Sequence, residues 1–126
     1  MLNDFDAIAT IAVKDIDAAK HFYAEVLGLQ TEPSKEGEVL TFKSGKSKLL
    51  VYKSQFAGTN QATAATWTVD NVDSTVASLR AKGVAFEHYE FPGGKLEGDV
   101  HVFGPHRAAW LKDPDGNILS IVNRGE

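Results

Sequence analysis

Hydrophobic and polar positions along the chain change period several times, and each change marks an element. Ile8, Thr10 and Ala12 alternate with Ala9, Ile11 and Val13, the two-residue period of a strand. Beyond Asp15 or Asp17, either able to cap a helix, Ala19, Phe22, Tyr23, Val26 and Leu27 follow helical spacing, and Gly28 stands where that helix closes. Residues 29–33, 39–43 and 48–53 then read as three strands. Lys35-Glu36-Gly37 and Gly45-Lys46 supply the turns, so that the last two strands form a hairpin.

Residues 54–63 are small, polar and Gly-containing, the composition of a linker, and after them the grammar repeats. A strand over 64–69 leads into a helix capped by Asn71 or Asp73, carried by Val72, Val76 and Leu79 to Lys82, and closed by Gly83; 84–90 reads as the next strand. Val69 follows Val13 by 56 positions, and the same offset superposes Val72 on Ile16 and Asp73 on Asp17. The repeat predicts an α+β fold made of one βαβββ unit used twice. Module 1 spans about 5–53, module 2 about 64–124, in a single domain covering 1–126.

Module 2 is elaborated at its centre. Residues 91–99 are too rich in glycine and charge for a strand and read as a loop or flap. His101, Phe103 and His106 follow it, before a strand over 107–112. Asp113-Pro114-Asp115-Gly116-Asn117 is a turn by composition, since Asp can accept a backbone hydrogen bond two residues on, Pro fixes φ and Gly tolerates a positive φ. A β-branched and aliphatic strand, 118–122, completes the hairpin.

Composition removes whole classes of function. With 126 residues and no Cys, the chain can bury a core but can form no disulfide, no thiolate nucleophile and no Cys-ligated metal site. A formal net charge of −4 argues against nucleic acid as a partner. Lys43, Lys46, Lys48 and Lys53 crowd one hairpin, where they keep strand edges soluble. The first residues, Met1-Leu2-Asn3-Asp4-Phe5-Asp6, have acids where a signal peptide has bases, and no run approaches the ~20 apolar residues of a membrane span. The expectation is a soluble cytoplasmic protein with no membrane partner.

Val13-Lys14-Asp15, the helix through Phe22-Tyr23 to Leu27-Gly28, Lys82-Gly83 and Asp113-Pro114-Asp115-Gly116-Asn117 together resemble the vicinal oxygen chelate superfamily. That superfamily includes glyoxalases, extradiol dioxygenases, fosfomycin-resistance thiol transferases and bleomycin-resistance proteins, and the resemblance covers nearly the whole chain. It implies two βαβββ modules about a pseudo-twofold axis, joined in a U-shaped mixed sheet with the helices outside. The trough of that sheet would hold a divalent metal or an organic ligand. The resemblance also implies a homodimer, which would cover exposed strand edges.

Superfamily enzymes place a His seven residues before the Asp matching Asp15, which is Ile8 here. Their second His falls at Ala64, the Glu seven residues after Asp113 falls at Ser120, and a further ligand lies near Leu50 or Tyr52. A Lewis-acid site needs at least three imidazole or carboxylate anchors. No metal and no cofactor are therefore expected.

Trp110, three residues before Asp113, matches an inward-facing aromatic position of the superfamily. Phe42 and Tyr52 join it in the trough if Leu40/Phe42 and Leu50/Tyr52 are the inner pairs, whereas Trp67 shares a face with Ala65 and Val69 and reads as core. Thr10, Thr66, Thr68, Ser120 and Arg107 supply polar groups, and His101 and His106 supply hydrogen bonds. His88 reads as an edge-strand residue and His21 as a surface or packing residue. A small planar organic molecule would stack on Trp110 with the 91–99 flap ordered over it. Two functional classes remain open. One is a metal-free binding protein, similar to the bleomycin-resistance branch, that sequesters a drug or metabolite. The other is a metal-dependent lyase, dioxygenase or thiol transferase with relocated ligands.

Overall fold

Asp15 determines where the first helix begins: its carboxylate accepts the backbone N–H of Ala18 at 3.0 Å, satisfying one of the free donors of the first turn. This computed structural model describes residues 1–33 and 38–124, so the turn expected at Lys35-Glu36-Gly37 lies outside the described residues. After a short 3₁₀ turn at Leu2–Asp4 come β1 (Ala9–Val13) and α1 (Ile16–Lys20), which continues as a π-helical stretch over His21–Val26. Gly28 follows with φ 76°, as a helix terminus requires. The module ends with β2 (Gln30–Glu32), β3 (Val39–Ser44) and β4 (Ser47–Lys53).

The second module opens in the same order, strand then helix, but has five strands after its helix rather than three. β5 (Thr63–Thr68) leads to α2 (Val72–Ala81), whose N-cap is Asn71 through a 2.9 Å bond from the Ser74 N–H. Then come β6 (Phe86–Glu87), β7 (Lys95–Glu97), β8 (Val100–Phe103), β9 (His106–Lys112) and β10 (Ile118–Val122). One sheet has the order β1-β4-β3-β2. The other has β5-β10-β9-β8-β7, with β6 pairing the remaining length of β9. In both, the first strand pairs in parallel with the last: Thr10 faces Leu50, and Thr66, 56 residues beyond Thr10, faces Ser120. The sheets meet where β1 lies beside β5, giving the U-shaped surface.

Both helices lie on the convex side. Ala19, Phe22 and Tyr23 of the first helix and Val72, Val76 and Leu79 of the second share one core with Ile11, Val13, Phe42, Val51, Leu111, Leu119 and Ile121. No helix among the described residues is long and apolar enough to cross a membrane.

Two sequence expectations change. The strand expected over 84–90 shrinks to Phe86–Glu87, because β6 and β8 share one edge of β9 and each takes only part of its length. The 91–99 loop is partly a strand: Lys95–Glu97 pairs antiparallel with Val100–Phe103, around Gly98 at φ 63°. Lysine and glutamate suit such a position, since β7 is the outermost strand and charged side chains there discourage strand addition.

The Asp113 turn fastens the modules together. The buried Asp113 carboxylate accepts the N–H groups of Asp115 and Asn117 on Oδ1, and Asn117 Nδ2–H on Oδ2. Tyr23, from the first helix, donates its hydroxyl to Oδ2 at 2.8 Å. Asn117 Nδ2 also donates to the Ala12 carbonyl at 2.7 Å, and the Lys14 N–H donates to Asp115 Oδ2 at 3.0 Å. Burial, followed by the neighbouring Asp113 charge, pushes the Tyr23 hydroxyl far above its ordinary pKa, so it remains a donor. The 54–63 segment packs on the same turn: Ala57 is buried, and a Cβ built on Gly58 would sit 1.9 Å from the Asp115 carbonyl oxygen.

Candidate functional site

The concave face carries two equivalent rows of side chains. In the first module, Thr10 of β1, Leu50 of β4 and Thr41 of β3 lie side by side across the sheet; in the second, Thr66, Ser120 and Trp110 hold the corresponding places. Ser120 is buried and its hydroxyl is 2.6 Å from that of Thr66, which ties β10 to β5 at the centre of the trough. Thr10 stays exposed and donates to the Ile8 carbonyl at 3.2 Å. Trp110 Nε1 donates to Thr63 Oγ1 at 3.3 Å.

Two of the residues assigned to the trough from sequence face the other way. Phe42 pairs with Leu49 rather than with Leu50 or Tyr52, and because side chains alternate, this single step sends Phe42 to the convex side. There it is fully buried, 5.7 Å from the ring of Tyr23, while Val39 and Thr41 take the inner positions opposite Tyr52 and Leu50. Tyr52 keeps its expected face and is 38% exposed. Arg107 is also convex, since it alternates with Trp110 in the opposite phase. Its guanidinium donates to both Asp73 oxygens at 2.9 Å and to Glu97 at 3.4 Å. The Asp73 hydrogen bonds hold it firmly charged, above the ordinary arginine range.

The second module gathers six rings over its concave floor. Trp110 meets His101 edge-on at 4.9 Å and Tyr89 edge-on at 5.4 Å, and Phe91 stacks on it at 5.4 Å with an interplanar angle of 29°. Phe103 links Phe91 to His106, each at 5.9 Å. Of the expected ligand contacts, His101, His106 and Trp110 are thus brought together, beside Thr66 and Ser120. Thr10 and Tyr52 belong to the other half of the trough. Sequence reasoning missed Tyr89 and Phe91. The signal for Phe91 was Pro92-Gly93: Pro at the second position, Gly93 at φ 78° and a 3.1 Å bond from Gly94 N–H to the Phe91 carbonyl form a tight turn, which sends the Phe91 ring back over the sheet.

His101 is 3% exposed. Its Nε2 accepts the Tyr89 N–H at 2.8 Å, which places the proton of a neutral ring on Nδ1. Nδ1 is buried and meets no partner among the described residues. His88, expected on a strand, lies outside one and bonds Asp99 at 2.7 Å. With Arg80 also on Asp99, these hydrogen bonds hold that carboxyl below its ordinary value. Beside this segment lies an open cavity of about 530 Å³ lined by His88, Tyr89, Phe91, Lys95, Leu96 and His101.

The positions that the resemblance matches to metal ligands of superfamily enzymes hold Ile8, Ala64, Ser120 and either Leu50 or Tyr52, a donor set of hydroxyls and hydrocarbon. Such a set does not fit a divalent transition ion, which needs imidazole or carboxylate anchors. Among the described residues, no three His, Asp or Glu side chains gather elsewhere to replace it.

Residues 5–121 match the sequence model of the Glyoxalase/Bleomycin resistance protein/Dioxygenase superfamily. Among solved structures, the chain is similar to a glyoxalase family protein from Enterococcus faecalis, with a TM-score of 0.73 and 20% identity over 97% of this chain and 99% of that one. It is similar to lactoylglutathione lyase from Agrobacterium tumefaciens, with a TM-score of 0.72 and 20% identity over 95% and 93%. It is also similar to TnmS3, an antibiotic binding protein from Streptomyces sp. CB03234, with a TM-score of 0.62 and 23% identity over 94% and 96%. No curated protein sequence matches significantly.

Proposed function

The chain belongs to the Glyoxalase/Bleomycin resistance protein/Dioxygenase superfamily, and from that premise we propose that it is a metal-free binding protein for a small planar organic molecule. The molecule lies on the concave face of the second sheet, against Trp110. The observation that carries this reading is the chemistry of the trough floor: Thr10, Thr41, Leu50, Thr66 and Ser120 offer hydroxyls and hydrocarbon, flanked by an aromatic cluster. A flat apolar molecule gains contact area from rigid rings at little entropic cost, and a few hydroxyls orient it. Sequestration of a drug or metabolite is the activity that follows. That an antibiotic binding protein shares the fold agrees with this reading. Cytoplasmic residence and a homodimer belong to the same proposal, the latter because β2 and β7 present open edges and Phe5, Ile8 and Phe56 are exposed. Sedimentation showing only monomer at micromolar concentration would remove the dimer.

Binding is tested by thermal shift and tryptophan fluorescence against a panel of planar aromatic drugs and metabolites. A ligand that binds only the native state raises the melting temperature. Trp110→Ala should weaken any ligand so found by about 2 kcal/mol, as for an anchoring aromatic. Equal affinity in the variant places the ligand elsewhere and refutes the reading.

A further inference from the structure

We propose that Phe91 is a built-in occupant of the binding slot on Trp110, displaced by a planar aromatic ligand whose edge carries an oxygen acceptor for the Nδ1–H of His101. This rests on the reading of the trough given above and specifies the ligand class.

Three observations meet here. Phe91 already lies on the Trp110 ring in the stacked geometry a flat ligand would adopt, yet it remains 41% exposed, half in the slot and half in water. Its segment is lightly held. Among the described residues, 88–94 join no strand ladder, and the turn is closed on itself, from Gly94 N–H to the Phe91 carbonyl. The Tyr89 N–H bond to His101 and the ring contacts fasten the segment to the sheet. Swinging Phe91 outward therefore breaks no backbone pairing. The third observation is the orphaned donor. The Tyr89 N–H occupies the one acceptor nitrogen of a neutral His101, so Nδ1 carries the proton, and a buried donor without a partner among the described residues is a standing cost that an incoming acceptor removes. The His101 ring lies near-perpendicular to both Trp110 and Phe91, with centroids at 4.9 and 5.8 Å, so the imidazole that carries the donor adjoins the slot. A ligand with a carbonyl edge satisfies both; a hydrocarbon of the same shape satisfies only the slot.

Fluorene and 9-fluorenone, equal in shape and differing by one carbonyl, are the probes. Trp67→Phe leaves Trp110 as the single tryptophan, and quenching of its fluorescence reports occupancy. In this background, 9-fluorenone should bind about tenfold more tightly than fluorene, the worth of one buried hydrogen bond. Adding Phe91→Ala should tighten both probes about tenfold, since the lost intramolecular stack no longer competes. Weaker binding after Phe91→Ala would make Phe91 a wall of the site and overturn the proposal, while Trp110 dependence would leave the trough reading intact. Quenching by neither probe even in Phe91→Ala overturns both. The donor is read separately by ¹⁵N NMR of imidazole in the unmutated chain, which avoids any folding defect of a His101 variant. His101 should be protonated on Nδ1, and that signal should move with 9-fluorenone and stay with fluorene. A proton on Nε2, or equal response to the two probes, refutes the assignment.

Discussion

Replacing Tyr23 by Phe removes one oxygen from the junction of the modules and leaves the ring contacts with Phe22 and Phe42 in place. The lost bond runs from a fully buried hydroxyl to a buried carboxylate at 2.8 Å, and hydrogen bonds to charged groups contribute about 1.5–3 kcal/mol. Asp113 keeps the N–H groups of Asp115 and Asn117 and the Asn117 amide, which cushions the loss toward the middle of that range, about 2 kcal/mol. For a chain of 126 residues, this lowers the melting temperature by about 7 °C, and the urea midpoint by about 1 M at a typical slope. Urea titration followed by circular dichroism measures it, with the half-exposed Tyr52→Phe as a control that should move by less than about 0.5 kcal/mol. The alkaline limb gives a second reading. The Tyr23 pKa is raised in the folded state, so its contribution is whole below the ordinary value of 10.0 and declines as pH rises beyond it, when the unfolded phenol ionises and the buried one does not. Tyr23→Phe should lack that slope. If the variant stays within about 0.5 kcal/mol of the parent, the hydroxyl is incidental and the backbone donors alone hold Asp113.

Gly58→Ala should cost about 3 kcal/mol, because it combines a φ of +71° with a Cβ 1.9 Å from the Asp115 carbonyl oxygen; a melting curve checks it, and a neutral result would mean the 54–63 segment does not pack on the turn. Arg107→Ala should leave ligand affinity unchanged and lower stability by at most about 1 kcal/mol, since its partners are partly exposed and on the convex side; weakened binding in the panel above would return Arg107 to the trough. Asp99→Asn should flatten the acid limb of stability. The Asp99 pKa is lowered by His88 and Arg80, so its contribution is present above the ordinary 3.8 and disappears as pH falls below it; an unchanged acid limb would show that the cluster is inert.

Much of the fold could be read from short-range signals. The change from two-residue to helical period located β1 and both helices, and the 56-residue offset holds for the opening strand and helix of each module, Thr10 answering to Thr66, because each module must bury one face of its sheet beneath one helix. Parity across a hairpin was less accessible. Leu40 and Phe42 share one face of β3, but Leu49-Leu50-Val51 of its partner is apolar on both faces, so only the register of the folded sheet decides which way Leu40 and Phe42 point. β7 is not legible in the sequence because its pairing partner, rather than its own composition, makes Lys95–Glu97 extended. In the site, Trp110, His101 and His106 were found on one strand pair. Tyr89 and Phe91 were not, since they reach the cluster through a turn and belong to no ladder.

The Asp113 turn also bears on how the chain acquires its structure during synthesis. Tyr23, Ala12 and Lys14, all in the first module, find their partners 90 to 105 residues later, at Asp113, Asn117 and Asp115. A ribosome releasing the chain from its N-terminus therefore exposes a first module whose helix carries an unpaired buried hydroxyl and whose first strand lacks its closing contacts. That module cannot complete these contacts until Asn117 has emerged. Contacts of such long sequence separation slow the search for the native state. Until the second module's core residues arrive, apolar Ile11, Val13 and Phe22 lack their full cover, and transiently exposed surface of this kind favours aggregation.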